Sequence, residues 1–282
     1  MKYIIIYNEC LRSKIIYSKF LKQNKKNIKC VIRLPININT QNKFYLIKKG
    51  ILNNNAYSYI LFQIFQTIFY NFFSIFFSSN IKSLCKKLKI KFVSTPHYPD
   101  KKKLKQLIKD YDEKDVIFAS TTYILKHKDL SIKNPVLNLH ESDPKKYRGS
   151  AIYFRIADNS DKYLQTTIME PNTGIDTGKV LFYSKKKNIE NYSIFKIILS
   201  GYFLQNELLK ILKNKKIKKN YPKSSYTAKS NVYSFPSREL ELKIKEKNIK
   251  TLSLCNYFFI LHLYIIKDID KLYSVIKKYL NK

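Results

Sequence analysis

Asn138 and His140 stand two apart in "NLHESDPKKYRG" (138–149), and Asp176 follows the histidine by 36 residues inside "NTGIDTG" (172–178). An amide, an imidazole and a carboxylate suit acyl transfer to an amine. The amide and a protonated imidazole can hold an oxyanion. The carboxylate can orient the imidazole and help to move the proton that an attacking amine must lose. No serine or cysteine nucleophile is signalled, so direct attack by the acceptor amine is the simplest scheme. Each signal has a plain alternative: a histidine at a strand end is commonly structural, and an aspartate between glycines is commonly a turn former.

The surroundings of these residues depart from the rest of the chain. Of five glycines, three (Gly149, Gly174, Gly178) fall between 149 and 178, and six of the 20 acidic residues lie between 141 and 176. Glycines there imply tight turns or a close backbone approach.

The elements that must position these groups read as alternating strand and helix. Runs at 2–7, 28–34, 90–94, 115–120 and 135–140 read as strands, the last two as buried parallel ones. Residues 11–23, 102–111 and 149–159 read as helices. The apolar stretch 57–77 reads as a helix continuing into 81–88. Residues 163–170 and 179–185 read as further strands. Residues 193–213 form an amphipathic helix capped by Asn191 or Ser193. This alternation predicts an α/β fold with a Rossmann-like, mostly parallel sheet flanked by helices. Ligands bind such sheets at the carboxyl ends of strands, where Asn138 and His140 would share one face. The expected organisation is a catalytic domain over 1–213, a basic linker over 214–237 and a small C-terminal appendage over 238–282. No internal repeat is visible.

The 282 residues carry a formal charge of +34, from 54 basic residues of which only five are arginine. That profile matches A/T-rich codon usage and is read as a solvated lysine coat, because a nucleic-acid surface uses more arginine. Residues 1–99 contain one acidic residue, Glu9. The four cysteines are far apart and form no CxxC, so neither a zinc site nor a disulfide framework is expected. Motifs for dinucleotide binding, P-loops, zinc proteolysis and serine hydrolysis are missing. The start reads as a first strand and not as a leader, which makes the cytoplasm the expected compartment. Stretch 57–77 holds no charge, but Gln63, Gln66 and Asn71 interrupt it. It is read as a buried or interfacial helix, with no membrane span expected.

Taken together, "NLHESDPKKYRGSA" and "TTIMEPNTGIDTGKVL" resemble the 10-formyltetrahydrofolate-dependent formyltransferases. That pattern runs N-x-H, then P-x-x-x-x-G, then a D-x-G turn. Asn138, His140 and Asp176 fall on its three catalytic positions. Pro144, Tyr147, Arg148 and Gly149 match the loop beside the active site. The close match covers about residues 115–185. The resemblance implies a Rossmann-like domain, 10-formyltetrahydrofolate as co-substrate and no metal. It implies that main chain near Ser120, Thr121, Glu170, Pro171, Gly174 and Ile175 holds the pterin. Asn138 and His140 would bind the formyl oxygen, and Asp176 would pair with His140 directly or through water. Two departures stand out. Glu141 occupies a place where proline is common, in a loop one residue short before Pro144. The first βα turn, "YNECLRS" (7–13), lacks a glycine found in many members. The H-E-S-D variant looks like members of surface-sugar pathways.

Three acceptor readings follow from the resemblance. The preferred acceptor is an amino-sugar nucleotide. The alternative is methionyl-tRNA formyltransferase, which normally carries a C-terminal barrel larger than the 69 residues after position 213. The basic stretch 213–225 keeps tRNA possible as a partner. The third reading is an inactive binding member. The purine-pathway relative is shorter, and the deformylase carries a regulatory domain before its core.

Overall fold

Strand β1 (Tyr3–Asn8) is apolar on both faces because both faces are covered. Tyr3, Ile5 and Tyr7 enter the larger core cluster, whereas Ile4 and Ile6 enter a smaller one on the other side of the sheet. The structure is a computed structural model that describes residues 2–35, 54–95, 106–109, 111–120, 134–171, 175–212, 232–233 and 235–281.

Around β1 lie β2 (Ile28–Leu34), β3 (Phe92–Ser94), β4 (Val116–Ser120) and β5 (Val136–His140), all parallel. The sheet continues antiparallel through β8 (Thr167–Glu170) and β9 (Lys179–Tyr183), in the order β3-β2-β1-β4-β5-β8-β9. The chain winds one way from β1 to β3 and the other way from β4 onward. The crevice of a doubly wound sheet therefore opens at the carboxyl ends of β1 and β4. The α/β, mostly parallel reading of the sequence is the architecture observed.

Helix α1 (Leu11–Asn24) packs on the larger face with α6 (Ile194–Leu212). Ser193 caps α6, its hydroxyl accepting the Lys196 N–H. The apolar stretch after β2 forms α2 (Tyr57–Gln63), a six-residue π turn (Ile64–Phe69) and α3 (Tyr70–Phe76). By length and composition this helix could cross a membrane. Its inner side is nonetheless core: Tyr59, Phe62 and Tyr70 are buried, and the Tyr70 hydroxyl donates to Glu9 at 3.1 Å. Burial raises the Glu9 carboxyl above its usual range, against the opposing hydrogen bonds from Tyr7 and Tyr70.

Three details correct the sequence reading. The helix over 57–77 does not run on to 88. It ends at Ser78 in the left-handed region (φ +49°), and Asn80 caps a separate α4 (Ile81–Leu88) through the Ser83 N–H. The strand over 163–170 splits into β7 (Tyr163–Leu164) and β8, because Ser184 takes both backbone groups of Thr166 out of line. The helix over 149–159 starts only at Ile152 as α5 (Ile152–Asp158), since Gly149 (φ +97°) and Ala151 (φ +53°) cannot belong to a helix.

The remaining short strands are β6 (Arg148–Gly149), β10 (Lys187–Asn188), which pairs with β7, and β11 (Val232–Tyr233), which pairs with β6. After them come α7 (Arg238–Glu246), α8 (Leu254–Ile265) and α9 (Ile269–Asn281). The apolar run 251–266 is helical because Ser253 and Asn256 form a capping box that starts α8. Leu240, Ile244, Ile260, Leu263 and Ile276 join the same core cluster as β1 and α1. Each such buried side chain contributes about 1.5–3 kcal/mol. Lys14 of α1 ties the end of α8 down, its ammonium donating to the carbonyls of Leu263, Tyr264 and Ile266.

Candidate functional site

Alternation along β5 sends Leu137 and Leu139 into the larger core and Val136 into the smaller one. Asn138 and His140 share the Val136 face, as period two requires. Across the sheet they lie opposite Met169 and Thr167 of β8. His140 is the last residue of the strand, so its imidazole stands at the carboxyl rim.

The loop after β5 fixes that ring. The Tyr147 carbonyl lies 3.0 Å from His140 Nε2 and also accepts the Ser142 hydroxyl at 3.1 Å. A carbonyl only accepts, so Nε2 carries the proton and the Nδ1 edge is left for chemistry. Tyr147 is itself anchored: its hydroxyl donates to Asp161 at 3.0 Å and accepts from Asn159 at 2.7 Å. Burial pushes this phenol above its usual range. Thr167 donates to the Ser142 carbonyl and closes the loop onto β8.

On the Nδ1 side stands Asp176, with Oδ1 at 3.7 Å. That is beyond a direct hydrogen bond and leaves room for an oxygen atom or a water to share the edge. The other carboxylate oxygen accepts the Gly149 N–H at 2.8 Å. Asp176 itself has φ +49°, inside the turn between β8 and β9. Gly178 closes that turn: a Cβ there would lie 1.8 Å from the Glu170 carbonyl oxygen. Gly149 is equally constrained, with φ +97° and the Tyr233 carbonyl 2.1 Å from where a Cβ would stand. The His140 and Asp176 side chains are 6% and 17% exposed, so the pair sits in a low-dielectric rim that is still reachable. Asn138 is half-buried, and among the described residues its amide has no hydrogen-bond partner.

The expected residues therefore fall into groups. His140 and Asp176 are brought face to face, and Asn138 is on the same strand face. Ser120 ends β4 beside β5, but alternation turns its side chain with Phe118 toward the larger core, so only its main chain fronts the site. Glu170 ends β8, Pro171 follows it, and Ile175 stands exposed next to Asp176. These flank Asp176 at the β8–β9 turn. Thr121 and Gly174 lie outside the described residues. Among the described residues no group of His, Cys, Asp and Glu could hold a metal ion.

The sequence did not expose several contributors. Arg12, in the glycine-free first βα turn, donates to the Leu139 carbonyl at 3.0 Å and pairs with Glu141 at 3.3 Å. The two ends of this clamp flank His140. Burial lowers the Arg12 pKa, and Glu141 together with Tyr153, Tyr202 and Cys10 more than offsets it, so the guanidinium stays above its usual range. Glu141 thus has a partner in the first turn of α1. Tyr147 acts through a main-chain carbonyl, which no residue type announces. Val232 and Tyr233, inside the expected linker, pair with Arg148 and Gly149. The sequence marked Glu141 and Tyr147 by their place in the loop, but not the contacts they make.

No family model matches the chain, and no curated protein is significantly similar to it in sequence. Solved structures do share its fold. One is an N-formyltransferase from Helicobacter canadensis, crystallised with folinic acid and dTDP-3-aminofucose. It is 14% identical, with a TM-score of 0.50 over 90% of this chain and 85% of that one. Another is WlaRD, a sugar 3N-formyltransferase solved with dTDP and 5-N-formyl-THF, also 14% identical with a TM-score of 0.50. That match covers 90% of this chain and 83% of the other. The chain has a formyltransferase-like fold.

Proposed function

We propose that this formyltransferase-like chain moves a formyl group from 10-formyltetrahydrofolate to the primary amine of an amino-sugar nucleotide, using Asn138, His140 and Asp176. The observation that carries the reading is the His140 ring, held by the Tyr147 carbonyl at Nε2 and offering Nδ1 to a site shared with Asp176 at 3.7 Å. Both ring nitrogens face oxygen acceptors, an arrangement that suits the imidazolium. The two structures named above are of sugar formyltransferases, which supports a sugar acceptor.

The reaction joins the amine nitrogen to the formyl carbon and breaks the carbon–nitrogen bond to the folate. The proton lost by the amine replaces the formyl group on the folate nitrogen. Negative charge develops on the formyl oxygen in between. Asn138 has a free amide to donate to that oxygen, and His140 donates from Nδ1. Asp176 balances the imidazolium and, through a water in the gap, accepts the amine's proton and returns it. The Gly149 N–H keeps the carboxylate turned for this role. Asn138, with no competing partner among the described residues, fits a formyl oxygen, and the exposed Ile175 offers apolar surface to a pterin ring.

The test is to incubate the protein and 10-formyltetrahydrofolate with dTDP-amino sugars and, separately, with methionyl initiator tRNA. Formylated sugar nucleotide is expected, with His140→Ala and Asp176→Ala each losing roughly a hundredfold or more in kcat. Formylation of the tRNA alone, or undiminished turnover in both variants, would overturn the reading.

A further inference from the structure

The outer side of the helix spanning α2, the π turn and α3 faces solvent with an apolar row: Leu61, Phe69, Phe72 and Phe76, of which Phe72 is 67% and Phe76 75% exposed. Helix α8 runs beside it, with Phe65 tilted against Tyr257 at 4.6 Å and Tyr70 edge-on to Tyr264 at 5.3 Å. Its own outer row is Leu254, Phe258 and Ile265, with Phe258 70% exposed. Exposed apolar patches of this kind on a chain normally mark a partner surface.

Charge says which partner. Residues 57–77 carry no charge, and α8 carries none beyond His262, in a chain that is 26% charged. Compositional drift toward lysine would have placed several there. Lysines stand instead on the elements that follow: Lys82, Lys86 and Lys87 on α4 with Lys89 at its end, and Lys267 and Lys271 after α8, all exposed. Two exposed acids, Asp268 and Asp270, also stand there, and Asp270 is paired with Lys22. The two helix ends converge on one cleft of about 150 Å³. Lys87 and Lys267 line it with Ser79, Asn80 and Ser83, and Lys14 lies at its floor. An uncharged aromatic face ending at a cationic, hydroxyl-lined cleft matches the boundary between acyl chains and anionic headgroups. A second copy of a chain with a charge of +34 would bring lysine rims together.

We propose that this two-helix face docks on the surface of an anionic phospholipid bilayer, with Phe72, Phe76 and Phe258 entering the acyl boundary and Lys87 and Lys267 meeting the phosphates. The helices lie in the plane of the surface, because Tyr59, Phe62 and Tyr70 hold them to the core. This docking does not depend on the formyl-transfer reading.

Flotation of the full chain with vesicles tests it. Vesicles of phosphatidylcholine plus phosphatidylglycerol should bind at least tenfold more protein than phosphatidylcholine alone, and added salt should weaken that binding. The double variant Phe72→Ser/Phe76→Ser should lose at least tenfold of the binding with an unchanged melting curve, since both positions are exposed. Lys87→Glu/Lys267→Glu should abolish the preference for anionic vesicles. Equal or absent binding to both vesicle types overturns the proposal. So does a sedimentation shift from dimer to monomer in the phenylalanine variant without loss of vesicle binding.

Discussion

Removing the Glu141 charge tests whether the rim around His140 is held as the geometry implies. Glu141 lies 3.3 Å from Arg12, and the two side chains are 19% and 23% exposed. At an effective dielectric near 20, Coulomb attraction at that separation is about 5 kcal/mol. Water still reaches both groups, so the coupling belongs between the exposed range of roughly 0.2–1 kcal/mol and the buried range of roughly 3–5 kcal/mol. We expect about 2 kcal/mol. The assay is a double-mutant cycle of Arg12→Met, Glu141→Gln and the double variant, read as urea unfolding free energies. Loss of the Arg12 contacts to Leu139 and Gln205 appears in both arms containing Arg12→Met and cancels from the coupling. Glu141→Gln alone should cost about 2–3 kcal/mol, because it strands a half-buried guanidinium. A coupling below about 0.5 kcal/mol would refute the clamp and make Glu141 a solvated charge.

Gly178→Ala should cost more than about 2 kcal/mol, because its Cβ would stand 1.8 Å from the Glu170 carbonyl oxygen; urea denaturation measures it, and a neutral result would contradict the turn geometry. Tyr70→Phe should cost about 1.5–3 kcal/mol in the same assay by depriving the buried Glu9 carboxylate of a donor. Burial lowers the Lys14 amine to about 7, so below that pH the folded state carries a buried charge. As pH rises from about 7 toward 10.5 the folded form releases its proton while the unfolded form keeps it, and stability should rise by up to about 1.4 kcal/mol per pH unit. Urea midpoints at several pH values should show the rise in the wild type and not in Lys14→Met.

The sequence exposed what depends on side-chain type and period. Buried strands read as apolar runs, so β1, β2, β4 and β5 were visible, and their alternation with helices gave the sheet. Asn138 and His140 shared a face because strand period allows nothing else, and the glycine-bracketed Asp176 read as a turn beside them. What escaped was carried by backbone or by distance along the chain. The Tyr147 carbonyl has no signature. Pairing of Tyr233 with Gly149 joins residues more than eighty apart, so a polar, basic stretch read as plain linker. The break at Ser78 turns on one left-handed residue that is not glycine, and the break before Thr167 turns on a hydroxyl arriving from Ser184.

The ammonium of Lys14 meets its acceptors about 250 residues downstream. During synthesis the first helix therefore emerges with an amine that nothing yet made can satisfy. The first strand and helix cannot settle in the order in which they leave the ribosome. They must wait, partly hydrated, until the last helices arrive, which makes assembly slow and exposes early apolar strands to chaperones and to misassociation.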